Sequence, residues 1–264
     1  MLRSLWSSAS GMSAQQFSID TISNNLANVN TTGFKKNRAQ FQDLLYQTIR
    51  PAGVTNNIGA QYPTPIEIGN GVKVSGSTRI FTTGTPTTTN NPLDLMIQGQ
   101  GFFQVQLPNG SLAYTKDGSF NQDANGNIVT SDGYYLEPQI TIPSGTQSIT
   151  ILQNGQVNVT VQGQTNTQTV GQIQLANFAN PSGLSALGAN LYQETEGSGE
   201  PTLGTPSLDG YGNIAQGTLE GSNVSVVDEM VNMIAAQNAY ELCARAIQTS
   251  NDMLQTANSL PTAL

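Results

Sequence analysis

The 264-residue chain contains no histidine and one cysteine, Cys243. A Ser-His-Asp or Cys-His nucleophile cannot be assembled from it, no Cys/His set exists to hold zinc, and no internal disulfide can form. Chemistry is left to carboxylates and glycine loops, and each candidate has a plainer explanation. Asp123-Ala124-Asn125-Gly126-Asn127 begins like a calcium loop, but its glycine comes too early and Tyr134 stands where the bidentate Glu belongs. It reads as a turn. Gly99-Gln100-Gly101 lacks the third glycine and the strand-to-helix context of a dinucleotide site, so close backbone packing explains it better. Glu194, Glu196 and Glu200 could imitate a retaining glycosidase pair, which needs carboxylates about 5 Å apart across a cleft. They crowd one Gly/Ser/Pro-rich loop, where acidic residues are usually solvated. Cys243 falls inside a helical pattern and reads as a small packed side chain rather than a reactive thiol.

The elements that would position any site are unusual. Leu5, Met12, Ile19 and Leu26 recur every seventh residue near the start, with Leu2, Ala9, Ile22 and Val29 widening the stripe. Near the end, Val226, Met233, Tyr240, Ile247 and Leu254 repeat the spacing. Sevenfold spacing puts a narrow apolar seam on one helix face, and such a seam needs a partner helix. The first 29 residues have no proline and only Gly11 as glycine, at a cost of about 1 kcal/mol relative to Ala. Their polar face is nearly uncharged, which predicts a helix covered on several sides. Ser225-Val226-Val227-Asp228 fits a capping box for the last helix. Asp228 and Glu229 lie at its positive dipole end, Glu241 and Arg245 form an i,i+4 pair, and Pro261 stops it. Single helices of this kind are marginal in water, so the ends are expected to order on contact with neighbours.

Everything between reads as β-structure. Phe103, Val105 and Leu107 alternate with Gln104 and Gln106, predicting a half-buried strand, and Val157, Val159 and Val161 repeat the pattern. Asn109-Gly110, Asp117-Gly118, Asn125-Gly126, Asp132-Gly133 and Asn154-Gly155 predict tight hairpin turns with positive φ at both central residues. From Pro51 to Gly71, proline and glycine punctuate scattered apolar residues (Ile58, Tyr62, Ile66, Ile68), predicting an extended arm that orders against neighbours. Phe34, Phe41, Leu44 and Leu45 come before it at broken helical spacing, suggesting a short second helical segment. The predicted class is α+β: N- and C-terminal helices pairing as a coiled coil, with an inserted, mainly antiparallel β domain. The expected divisions are 1–33 and 222–264 for the helices, 34–74 for the arm and 75–221 for the β domain.

Charge narrows the partners. Charged residues make up 10% of the chain, with 9 Lys+Arg against 17 Asp+Glu, so no basic stripe offers itself to nucleic acid. Residues 1–50 carry five basic and two acidic groups, net +3; residues 222–264 carry four acidic groups and one basic, net −3. Opposite signs favour pairing of the two ends, within a screening length of about 8–10 Å. No apolar run is long enough for a membrane span. The first 30 residues lack a basic start, a continuous apolar stretch and a small-residue cleavage site. The expectation is either cytoplasmic residence or export by a dedicated machine without cleavage.

Asn24-Asn25-Leu26-Ala27-Asn28-Val29-Asn30-Thr31-Thr32-Gly33-Phe34 is similar to the N-terminal signature of the bacterial flagellar rod and hook family. Gln98-Gly99-Gln100-Gly101-Phe102-Phe103-Gln104-Val105 and Tyr114-Thr115-Lys116-Asp117-Gly118-Ser119-Phe120 resemble its β-domain motif, and Gly188-Ala189-Asn190-Leu191-Tyr192 another shared segment. Glu220-Gly221-Ser222-Asn223-Val224, Glu229 to Ile234, and Gln237 to Glu241 match near the C-terminus, although Asn238 stands where the family usually has Arg. Leu2 to Trp6 and Asp43 to Arg50 are similar to the distal-rod members.

The resemblance implies a subunit without an active site or cofactor, polymerising helically into a hollow rod that carries motor torque to the hook. The terminal helices would form an inner coiled-coil tube, with Leu5, Met12, Ile19, Leu26, Met233, Tyr240, Ile247 and Leu254 burying faces between subunits. Implied partners are further copies of the chain, proximal rod proteins, the hook or hook–rod junction protein, the P- and L-ring proteins and the flagellar type III export apparatus. The implied location is the basal body, in the periplasm-spanning rod, after export without a cleaved signal. The arm near residues 46–71 resembles an insertion that stiffens the distal rod. Alternatives are another axial relative, a secreted carbohydrate-active β protein using Glu194 and Glu196, and a surface adhesin.

Overall fold

The computed structural model describes residues 2–54, 61–163 and 167–259, without the side chains of Leu2, Ala257 and Asn258. Ile58 in the arm, the stop at Pro261 and the Leu2 contribution to the stripe lie outside the described residues. The chain divides into two compact units. One, the helix unit, comprises Met1–Leu26, Asn37–Thr78 and Ser225–Leu264; the other, the β unit, comprises Ala27–Lys36 and Arg79–Val224.

The helix unit holds α1 (Leu2–Ala27) and α2 (Val226–Ser259). At the start of α2 the Asp228 N–H donates to Ser225 Oγ at 3.5 Å, the long limit for a cap. Two small sheets accompany the helices: Asn37–Asp43 pairs with Val72–Arg79, and Gln47–Arg50 pairs antiparallel with Ile66–Ile68. The short helical segment suggested after Gly33 is therefore a strand. Its ladder partner lies some thirty-five residues further on, and the Leu44 N–H to Gly71 carbonyl bond at 2.9 Å closes that pairing. Local spacing cannot register so distant a partner.

The β unit is built on a nine-stranded antiparallel sheet. Phe102–Gln106 sits at its centre, between Leu112–Thr115 and Tyr135–Glu137, and also pairs with Leu175–Asn177. A three-stranded sheet (Thr146–Ile151, Gln156–Val161, Gln168–Gln172) and two strand pairs complete it. Successive side chains of a strand face opposite ways. Phe103 thus enters the main core with Phe120, Leu136, Val157, Val159 and Ile173, while Phe102 enters a separate cluster with Tyr114, Phe178 and Tyr192. Both clusters use edge-to-face rings, Phe103–Phe120 at 5.1 Å and Tyr114–Phe178 at 4.8 Å. Because both faces are covered, Gln104 is buried too, and the strand is not the half-exposed one that its alternation suggested.

The hairpin turns differ from the expected type in a uniform way. In four of them, Leu107–Ser111, Asp123–Asn127, Thr130–Tyr134 and Leu152–Gln156, the glycine N–H bonds back three residues and the first residue's N–H bonds forward four. Only the glycine has positive φ, from +81° at Gly110 and Gly155 to +89° at Gly126; the preceding Asn or Asp does not. These are three-residue loops built on a type I turn with a glycine bulge, not two-residue mirror-image turns. The same sequence signal serves both. Asp117-Gly118 is no turn of this kind: Gly118 has negative φ and packs on the Leu95 carbonyl, and Asp117 Oδ1 accepts from the Ser119 N–H at 3.0 Å.

Candidate self-assembly site

The two helices touch along one line. Ser4 Oγ meets Ser250 Oγ at 3.3 Å, and Asn25 Nδ2 donates to Glu229 Oε2 at 3.2 Å. Between these contacts, a Cβ added to Gly11 would stand 3.1 Å from Cys243 Sγ. The partners run in opposite order along α1 and α2, and each pair of numbers has the same total, so the helices are antiparallel in one unbroken register. Asn25 and Glu229 are both buried. Asn25 also clasps Asn37, donating to its carbonyl at 2.8 Å and accepting its N–H at 2.9 Å. Glu229, placed by sequence at a helix dipole, thus has a specific partner, and Cys243 packs where α1 has no side chain.

All eight seam residues are half-buried: Leu5, Met12, Ile19 and Leu26 on α1; Met233, Tyr240, Ile247 and Leu254 on α2. The α2 set lies three or four residues from Glu229, Cys243 and Ser250, on the face turned to α1. The α1 set does not share the contact line. Leu5, Met12 and Leu26 each follow a contact residue by one position, a turn of about 100° around the helix. The contact line of α1 is small and polar instead. A signal for it was present, since Ser4, Gly11, Ser18 and Asn25 also recur every seventh residue, but apolar periodicity drew attention to the neighbouring row.

What remains uncovered is extensive. Of 21 exposed large apolar side chains among the described residues, sixteen belong to the helix unit. Of 29 buried apolar residues among those described, only Ala14, Ile22 and Ala236 do. Val227 (72% exposed), Val231, Ile234, Leu242 and Met253 lie along α2; Trp6 (75%) lies on α1; Leu45 (89%), Tyr46 and Ile49 lie on the arm. A single folded chain rarely leaves so much apolar surface in water unless something is to cover it.

Apart from Glu229, the buried charged side chains of the described residues lie in the β unit. Lys35 and Glu220 have fully buried side chains and meet at 2.5 Å. Lys116 is buried close to them, donating to the Gly99 carbonyl at 2.9 Å above the Phe102 ring. Burial lowers its pKa to about 8; Glu220 opposes that shift and Lys35 adds to it. Burial, with the Glu194 carboxylate beside its hydroxyl, pushes Tyr114 up to about 12. Glu194 therefore has a structural neighbour, and Glu194, Glu196 and Glu200 are all exposed. The Gly99–Gly101 segment packs closely as expected, with a Cβ at Gly101 only 3.1 Å from Leu175. Asp123 to Asn127 forms one of the glycine-bulge turns.

A helix at each end of the chain, with an antiparallel β insert between them, is the arrangement of a flagellar axial subunit, and the comparisons agree. Residues 5–35 match the model of flagella basal body rod proteins, 96–159 that of the flagellar hook protein FlgE/F/G D1 domain, and 215–260 that of the flagellar basal body rod FlgEFG C-terminal region. A flagellar basal-body rod protein FlgG of Buchnera aphidicola is 50% identical over 260 residues, covering 98% of this chain and 100% of the relative. The FlgG of Caulobacter vibrioides is 49% identical, covering 98% and 99%. The flagellar hook protein FlgE of Helicobacter mustelae is 45% identical over 138 residues, 52% of this chain and 30% of the relative. The chain belongs to the FlgG family of flagellar basal-body rod proteins.

Proposed function

We propose that the chain polymerises helically into the hollow distal rod and transmits motor torque to the hook. In this reading 1–33 and 222–264 supply helices that pair as a coiled coil, 34–74 is an arm ordered by neighbouring subunits, and 75–221 is the β domain. Like copies cover the faces carrying Leu5, Met12, Ile19, Leu26, Met233, Tyr240, Ile247 and Leu254. Other partners are proximal rod proteins, the hook or hook–rod junction protein, the P- and L-rings and the flagellar type III export apparatus.

One observation carries the reading: the helix unit has almost no apolar core, while most of the exposed apolar side chains of the described residues are its own. Burial of that surface is the driving force assembly needs. Ile19→Asp tests it, because a carboxylate in a dry interface is expensive to leave unpaired. The variant should keep a folded β unit yet fail to form rods and fail to swim. Normal rods in that strain would reject the interface.

A further inference from the structure

The chain passes between its two units four times, after Leu26, Lys36, Thr78 and Val224. Within the β unit, the segments beside three of these crossings converge on one polar cluster centred on a buried ion pair. Lys35 Nζ donates to Glu220 Oε1 and, at 2.7 Å, to the Thr82 carbonyl. Glu220 Oε1 also accepts the Gly84 N–H at 2.9 Å, and its main-chain carbonyl accepts the Gly33 N–H at 2.7 Å. Asn223 completes the tie, accepting the Lys36 N–H at 2.8 Å while donating to the Ile80 carbonyl at 2.8 Å and Thr82 Oγ1 at 3.1 Å. Lys36, Ile80 and Asn223 each lie within two residues of a crossing. Packing there is tight enough that a side chain at Gly84 would collide with the Gly221 carbonyl.

Ordinary stability does not explain such an arrangement. Replacing a buried ion pair by apolar residues of similar volume is often neutral or stabilising, whereas separating the pair leaves a bare charge in a dry interior. An apolar contact loses energy gradually as surfaces slide and area is exposed. An ion pair at low dielectric resists the first few ångströms of separation much more steeply. The backbone pairing at this place is slight: Thr218–Glu220 and Pro86–Thr88 share three residue pairs. Strands so short would peel one pair at a time if pulled singly.

We propose that Lys35, Glu220 and Asn223 form a mechanical clamp, which locks three crossing segments in register so that force arriving along the chain is shared among them. The idea rests on the torque-carrying reading for its purpose, but its test uses the monomer and needs no assembly. The full-length chain is held by its two ends at constant force, and the longest extension step is taken as unfolding of the β unit. A Lys35→Met/Glu220→Met double variant is compared with the wild type, with thermal melting recorded in parallel. The clamp requires an unchanged or higher melting midpoint together with a lifetime under force shortened at least about tenfold. Equal lifetimes, or a shortening that merely follows lost thermal stability, would overturn it. If the double variant does not fold, Asn223→Ala decides, since it removes the uncharged tie alone. Its lifetime should fall likewise, and a wild-type lifetime would refute the clamp.

Discussion

The helix unit and the β unit solve opposite problems. The β unit holds 26 of the 29 buried apolar residues among those described and closes four of its hairpins with one repeated turn, so its information lies inside the chain. The helix unit pairs α1 with α2 through serine, glycine, cysteine and an Asn25–Glu229 contact, and leaves its larger apolar rows outside. A small-residue line allows close approach, but it returns little apolar burial. The comparison teaches that on α1 the line of intrachain contact and the larger apolar row occupy different faces of one helix.

The largest expected contrast comes from deleting one apolar side chain in each unit. Phe103→Ala, in the fully buried core, should cost about 3–5 kcal/mol in chemical denaturation. Ile234→Ala, on the open face of α2, should change monomer stability by less than about 0.5 kcal/mol yet impair rod formation. Equal effects in the monomer would erase the distinction.

Alkaline titration probes two buried groups of the β unit. Lys116, facing Glu220 and Lys35, has its folded pKa lowered to about 8 from 10.5. Between those values the unfolded chain holds more protons, so stability should rise with pH, by up to about 3 kcal/mol. Tyr114, raised to about 12 from 10.0, acts in the opposite direction, and stability should fall again between those values. Melting curves from pH 7 to 11 should show the rise lost in Lys116→Met and the fall blunted in Tyr114→Phe.

At the helix contact, Gly11→Val should cost about 1–3 kcal/mol of local stability, because its branched side chain has to displace Cys243. Proteolysis of α1 and α2 should accelerate while the β unit keeps its melting point. The smallest effect is expected at Glu241→Ala. Its 3.4 Å pair with Arg245 is exposed on both sides, and such pairs contribute about 0.2–1 kcal/mol at most.

Much of this was legible from the residues. The two helices, the capping serine, the Glu241–Arg245 pair and the strands around Phe103 and Val157 all follow from local periodicity and chemistry. What escaped depended on distant partners. Asn37–Asp43 is a strand because Val72–Arg79 pairs with it, and Gln104 is buried because the Phe102 cluster covers its face. The glycine was correctly located in four of the five expected turns, yet the loop type was not, because Asn-Gly suits both geometries. At the candidate site, hydrophobic spacing pointed to Leu5, Met12, Ile19 and Leu26, one position away from the small residues that carry the intrachain contact. Buried Lys35 and Glu220 lie 185 positions apart, and no local signal joins them.

Hydrogen–deuterium exchange, compared between dilute monomer and assembled rod, tests the central claim most directly. In the monomer, amides of α1 and α2 should exchange far faster than those of Phe102–Gln106 and Gln156–Val161, and on assembly the helices should slow to match the strands. Helices already as protected as those strands in the monomer would contradict the account.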